Sequence, residues 1–118
     1  MRIMSRRHRN KKTSIGKITF DSIVESRRYI ELQLLQRAKK ISDLQLQPVY
    51  LLQPAFKCQG KSIRKMEYIG DFSYVNKEGE IVVEDVKSDY TQKDPVYRLK
   101  RKIMLYKYPS IVFKEVIY

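Results

Sequence analysis

The chain has 118 residues and a formal net charge of +12, from 25 Lys and Arg against 13 Asp and Glu, with a single cysteine. That length allows one hydrophobic core and argues against a second domain. No apolar run approaches the roughly 18 residues of a spanning helix, and Cys58 has no partner for an internal disulfide. The positive excess makes a polyanion the first partner to consider. A lone cysteine, with no Cys or His cluster of zinc spacing, fits a reducing, cytoplasmic setting.

The N-terminal "MRIMSRRHRNKKTSIGK" is basic and is followed by no apolar segment, so it does not read as a secretory signal. Residues 1–19 show no hydrophobic period and carry Arg2, Arg6, Arg7, Arg9, Lys11, Lys12 and Lys17 with no carboxylate before Asp21. Like charges this dense repel, which predicts a basic arm that is mobile until something anionic neutralises it, with Arg6, Arg7, Arg9, Lys11 and Lys12 as DNA-binding candidates, followed by a domain over 20–118. His8 lies in the arm and has no catalytic assignment.

Asp21 or Ser22 caps a helix that runs to about Lys39, with Glu25 at capping-box spacing from Ser22. Its predicted apolar face is Ile23, Val24, Ile30, Leu34, Leu35 and Ala38, with Glu25 near the edge between Tyr29 and Leu32. "ISDLQLQPVYLLQP" reads as a strand or an irregular extended pair, and Pro48 keeps it out of a fully paired central position. "AFKCQGKSIRK" reads as a loop with solvated charge. From Met66 to Val75 the alternation predicts one strand, with Met66, Tyr68, Gly70, Phe72 and Tyr74 facing one way and Asp71 the other. "NKEG" makes a turn into "EIVVEDVKS", where Asp85 and Lys87 share a face and Glu84 takes the opposite one. Asp94 and Pro95 open a second helix to about Tyr106, and "SIVFKEVIY" is the last strand. The order predicts a mixed α/β (α+β) domain with one sheet.

A hairpin turning at "NKEG" places Asp71 opposite Glu84 or Asp85. Opposed Cβ atoms lie about 4.5–5.5 Å apart, close enough for two carboxylates to share one cation. Two carboxylates holding Mg²⁺ or Mn²⁺ beside an ammonium can activate water, relieve charge on a phosphodiester and stabilise the departing alkoxide. Tyr29, Tyr68, Phe72 and Tyr74 are expected in the core rather than on a base-stacking platform. Gln47 is a weaker candidate to point into the site.

Glu25 in a first helix, Asp71 after Gly70, and an apolar strand ending in Asp85-x-Lys87 before a second helix resemble the PD-(D/E)XK nuclease superfamily, with Gly70 where the nominal proline would stand. "FDSIVESRRYIELQLLQ", "LQLQPVYLL", "YIGDFSYV", "VVEDVKS" and "YRLKRKIMLYKYP" resemble a small phage and prophage family within it. The resemblance implies a mixed sheet of about four strands flanked by helices. It also implies Mg²⁺ (or Mn²⁺) at Asp71 and Asp85, Glu25 binding or orienting the metal, the Val86 backbone carbonyl as a further ligand, and Lys87 positioning water. The implied activity is a metal-dependent DNA endonuclease selective for structure, such as a Holliday junction or other branched DNA, in phage recombination, repair or packaging. Related archaeal junction resolvases are two-fold dimers, so a homodimer in the bacterial host is expected. Lys61, Arg64, Lys65, Lys93, Arg98, Lys100 and Arg101 would bind phosphates without reading sequence. Two alternatives stand beside this reading. One is a non-catalytic nucleic-acid-binding protein in which Asp71, Asp85 and Lys87 form a salt-bridged patch; the other is a nicking or end-degrading DNase.

Overall fold

A computed structural model of the protein describes residues 13–15, 18–20, 22–87 and 94–117. The chain runs β1 (Thr13–Ile15), β2 (Ile18–Phe20), α1 (Ile23–Arg37), β3 (Ser42–Leu46), β4 (Val49–Gln53), β5 (Phe56–Cys58), β6 (Lys61–Ile63), β7 (Met66–Ile69), β8 (Phe72–Val75), β9 (Ile81–Lys87), α2 (Pro95–Lys107) and β10 (Val112–Ile117). The predicted mixed sheet is present as four strands in the order β10-β9-β8-β3, with β10 parallel to β9 and the other two pairs antiparallel. Three two-stranded pairs accompany it: β1-β2, β4-β7 and β5-β6. The β1-β2 pair occupies part of the segment expected to be an arm. Arg2, Arg6, Arg7, His8, Arg9, Lys11, Lys12, Lys17, Asp21 and Lys93 lie outside the described residues.

Both helix starts follow from their caps. Ser22 Oγ accepts the Glu25 N–H at 3.1 Å, and Asp94 Oδ1 accepts the N–H groups of Val96 at 2.9 Å and Tyr97 at 3.1 Å. The helices cover opposite faces of the sheet. On the α1 face lie Phe20, Tyr29, Leu32, Phe72, Tyr74 and Val82; on the α2 face lie Leu52, Tyr68, Val83, Tyr97 and Met104.

The buried face of α1 differs from the predicted one. Glu25, Ser26, Tyr29 and Leu32 are buried, while Ile23, Ile30, Leu34 and Leu35 are exposed. What lies beneath explains the rotation. Glu84 on β9 is fully buried, and Arg28 donates to it through Nε and Nη2, each at 2.7 Å. Tyr29 packs beside Arg28, its ring stacked on Phe72 at 6.3 Å. Burying one more Ile is worth about 1.5–3 kcal/mol, whereas breaking a buried ion pair costs about 3–5 kcal/mol, so the face that satisfies Glu84 prevails over the most aliphatic one.

Two further expectations are corrected. The loop expected over residues 55–65 contains the β5-β6 hairpin, turned by Gln59 at φ 51° and Gly60 at φ 75°. The single strand expected from Met66 to Val75 is two strands that break at Gly70 and Asp71. β7 pairs with β4, while β8 pairs with β3 and β9. The break reverses the alternation, so Tyr68 faces α2 while Phe72 and Tyr74 face α1.

Gly70 sits where the chain changes neighbours, its N–H donating to the Pro48 carbonyl at 3.0 Å. A Cβ there would stand 2.9 Å from Val83 Cγ1 and 3.4 Å from Pro48 Cγ. Gly70→Ala is therefore expected to destabilise the protein by about 1–3 kcal/mol, as overpacked cores do. In a double-mutant cycle with Val83→Ala, measured by urea unfolding, the combined loss should be smaller than the sum of the single losses. Additive losses would show that β9 simply draws back.

Candidate active site

The β8-β9 register ends with Phe72 paired to Glu84; Asp71, one residue before β8, hydrogen-bonds the chain on either side of Asp85, at Glu84 and at Val86. Asp71 is fastened on three sides. Its N–H donates to the Glu84 carbonyl at 3.0 Å, its own carbonyl accepts the Gln47 N–H at 3.0 Å, and Oδ2 accepts the Val86 N–H at 2.7 Å. Gln47 adopts φ 51° immediately before Pro48, and this bend delivers its N–H to Asp71. Gln47 thus supports the candidate site through its backbone.

Asp85 is fully buried, with Asp71 and Lys87 each 4 % exposed. Lys87 Nζ lies 2.9 Å from Asp85 Oδ1, and the Tyr68 hydroxyl donates to Oδ2. The same ammonium stands 4.0 Å from the centroid of the Tyr97 ring, a cation–π contact from α2. Tyr97 in turn donates its hydroxyl to Glu115 on β10, and Arg101 lies 3.6 Å from that carboxylate and over the Phe113 ring.

These contacts bias protonation. Burial, reinforced by the Asp85 carboxylate, pushes the Tyr68 and Tyr97 hydroxyls well above the ordinary phenol range, so both remain hydrogen-bond donors. Asp85 is held below its ordinary value, although burial, its largest influence, works the other way; Lys87 and the Tyr68 hydroxyl are among the groups that pull it down. On the α1 face, the hydrogen bond to Glu84 raises Arg28, which stays charged. Burial and Glu84 raise Tyr74, whose hydroxyl donates to that carboxylate.

Of the residues proposed from the sequence, Asp71, Asp85, Val86 and Lys87 come together at the end of β9. Glu25 is buried in the first turn of α1, in the layer that covers Glu84. Among the described residues no three His, Cys, Asp or Glu side chains are grouped so as to hold a metal ion. Two carboxylates still suit Mg²⁺, which keeps several waters and uses one or two protein carboxylates together with phosphate oxygens.

Lys61, Arg64, Lys65 and Arg98 are exposed and Lys100 is half-buried, whereas Arg101 is engaged with Glu115 and Phe113. Lys65 also pairs with Glu67 at 3.1 Å. Sequence reasoning missed the roles of Tyr68, which reads there as a packing residue, and of Tyr97, which has no assignment there. A tyrosine two residues before the break at Gly70 carries no local mark of the carboxylate it will meet.

Among the described residues no helix is long and apolar enough to cross a membrane. No curated protein and no solved structure matches the chain. One family model matches residues 5–117 and so takes in α1, the β8-β9 pair and α2 together; the chain belongs to the family described as Protein of unknown function (DUF1064).

Proposed function

We propose that this protein is a metal-dependent DNA endonuclease that selects branched or duplex DNA by structure and acts in phage DNA recombination, repair or packaging. The observation that carries the reading is the fastening of Asp71 to Glu84 and Val86, on either side of Asp85, with the Lys87 ammonium 2.9 Å from Asp85. Asp71, Asp85 and the Val86 carbonyl would hold Mg²⁺ or Mn²⁺, which supplies Lewis acidity toward the phosphodiester and toward the attacking water.

The protein's own groups orient and balance charge. The Val86 N–H turns the Asp71 carboxylate toward β9, and the Tyr68 hydroxyl fixes the Asp85 carboxylate. Lys87 neutralises negative charge beside the scissile phosphate and orients water, while Tyr97 holds the ammonium in place. Glu25, buried in the first turn of α1, would bind the metal or orient it through water. Exposed basic residues supply affinity that falls with salt.

The test uses labelled four-way junction, nicked, linear and single-stranded DNA with Mg²⁺, Mn²⁺ or EDTA. Cutting of branched or duplex DNA that requires metal is expected. Tight binding with no cutting of any form would favour the non-catalytic reading, in which the Asp85–Lys87 pair is structural; such a protein has no need of metal.

A further inference from the structure

Beyond the Asp71–Asp85 centre, the chain forms one long antiparallel arm. Its base is the β4-β7 pair. Leu52 and Tyr68 are buried there beside Val83 and Met104, and α2 and its C-terminal turn clamp it: the Tyr108 hydroxyl donates to the Leu51 carbonyl at 2.7 Å and Lys107 Nζ to the Leu52 carbonyl at 3.4 Å. Its outer part is the β5-β6 ribbon, pairing Phe56 with Ile63, Lys57 with Ser62 and Cys58 with Lys61. Gln53 stitches the two parts together, its Nε2 donating to the Arg64 carbonyl at 3.1 Å.

All six strand residues of the ribbon are exposed. A two-stranded hairpin with nothing packed on it is marginal in water, so this one is suited to being covered by a partner. Charge selects the partner's chemistry. The stretch from Pro54 to Lys65 carries Lys57, Lys61, Arg64 and Lys65 and no carboxylate. A single-stranded nucleic acid would call for a row of aromatic side chains to stack its bases, and the ribbon offers only Phe56. The B-DNA major groove admits a two-stranded ribbon. Strand alternation puts the exposed Phe56–Ile63 pair on one face, where it can meet thymine methyl groups, with basic side chains flanking it for the phosphates.

We propose that the β5-β6 ribbon lies in a groove of a DNA duplex arm leading away from the Asp71–Asp85 centre. The proposal rests on the reading of DNA as the substrate, but not on the reading that the centre cuts it. The distance from Gly70 to the tip at Gly60 is about ten residues. At about 3.3 Å each this gives at most about 33 Å, or about ten base pairs at 3.4 Å per pair. The ribbon therefore sets a minimum duplex length on one side of the bound site.

Cys58 is the chain's one cysteine and is exposed on the ribbon, so a thiol label reports its surroundings. In EDTA, maleimide labelling of the full chain is compared with and without saturating 24-bp duplex, 6-bp duplex or 24-nucleotide single strand, with binding followed by anisotropy. The 24-bp duplex is expected to slow labelling at least about fivefold, and the 6-bp duplex and single strand by much less. The variant carrying Lys57→Ala, Lys61→Ala and Arg64→Ala is expected to bind duplex on the order of 100-fold more weakly at about 0.1 M salt, with a salt slope smaller by about 2–3.

Undiminished labelling on bound 24-bp duplex overturns the proposal, as does equal protection by single strand. If no DNA binds at all, the DNA reading falls with it. Protection in EDTA from a protein that cuts nothing in Mg²⁺ upholds the ribbon and removes only the endonuclease reading.

Discussion

Asp85→Asn is expected to lower the rate of DNA cutting on the order of 10³-fold, with Asp71→Asn close behind. Loss of a metal carboxylate removes several kcal/mol of transition-state stabilisation, and each 1.4 kcal/mol or so is tenfold in rate. Asparagine keeps the volume of Asp85 and can still accept the Tyr68 hydroxyl, so packing around β7 and β9 is retained. The Lys87 side chain, however, is only 3 % exposed and loses the carboxylate now 2.9 Å from its ammonium. Breaking such a pair costs about 3–5 kcal/mol out of a typical 5–15 kcal/mol, so rates are compared at a temperature where circular dichroism shows both proteins folded. A second readout does not depend on cutting. Mg²⁺ or Mn²⁺ should raise the Tm of the wild-type protein and leave that of Asp85→Asn unmoved, because only a folded state that binds metal gains stability from it. Wild-type cutting by Asp85→Asn would end the metal-site assignment.

Glu84→Ala should act on stability instead. Glu84 is fully buried, receives two Arg28 hydrogen bonds at 2.7 Å and accepts the Tyr74 hydroxyl. Truncation leaves a guanidinium and a phenol facing an empty site. The expected loss is about 3 kcal/mol, at the low end for a broken buried pair, because the Arg28 side chain is 16 % exposed and also contacts Glu31 at 3.0 Å. For a chain of this size that is a fall in Tm of about 10 °C. The paired change Arg28→Met with Glu84→Leu should recover most of the loss, since apolar residues of similar volume replace a buried ion pair at little cost. Cutting per folded molecule should persist in Glu84→Ala, because the side chain lies on the α1 face, away from Asp85. An unchanged Tm would mean that the pair contributes nothing in solution; lost cutting with intact folding would make Glu84, not Asp85, the functional carboxylate.

Glu84 shows where sequence reasoning stops. Strand alternation places it on the face opposite Asp85, correctly, and so makes it look like a neutral control. What alternation cannot supply is the partner on that face. Arg28 is 56 positions away, in a helix whose most aliphatic side points elsewhere. The charge-bearing face of α1 escapes periodicity, which scores apolar residues, whereas a buried carboxylate needs a cation. Similarly, the exposed hairpin within residues 55–65 reads as a loop because its composition is polar and basic. Backbone pairing, fixed by left-handed Gln59 and Gly60, requires no apolar face.

By itself, the sequence determined the mixed α/β class, a first cap at Asp21 or Ser22, the cap at Asp94, the "NKEG" turn and the side of β9 on which Asp85 and Lys87 stand. These are local matters: a capping side chain reaches three residues, and alternation has a period of two. Only the tertiary structure decided that the strand containing Tyr68 breaks at Gly70, that Asp71 fastens to Glu84 and Val86, and that Tyr68, Tyr97 and Arg28 serve buried charges. Each of those outcomes depends on which distant backbone or side chain occupies the neighbouring space, and desolvation makes an unmet charge too costly for local preference to override.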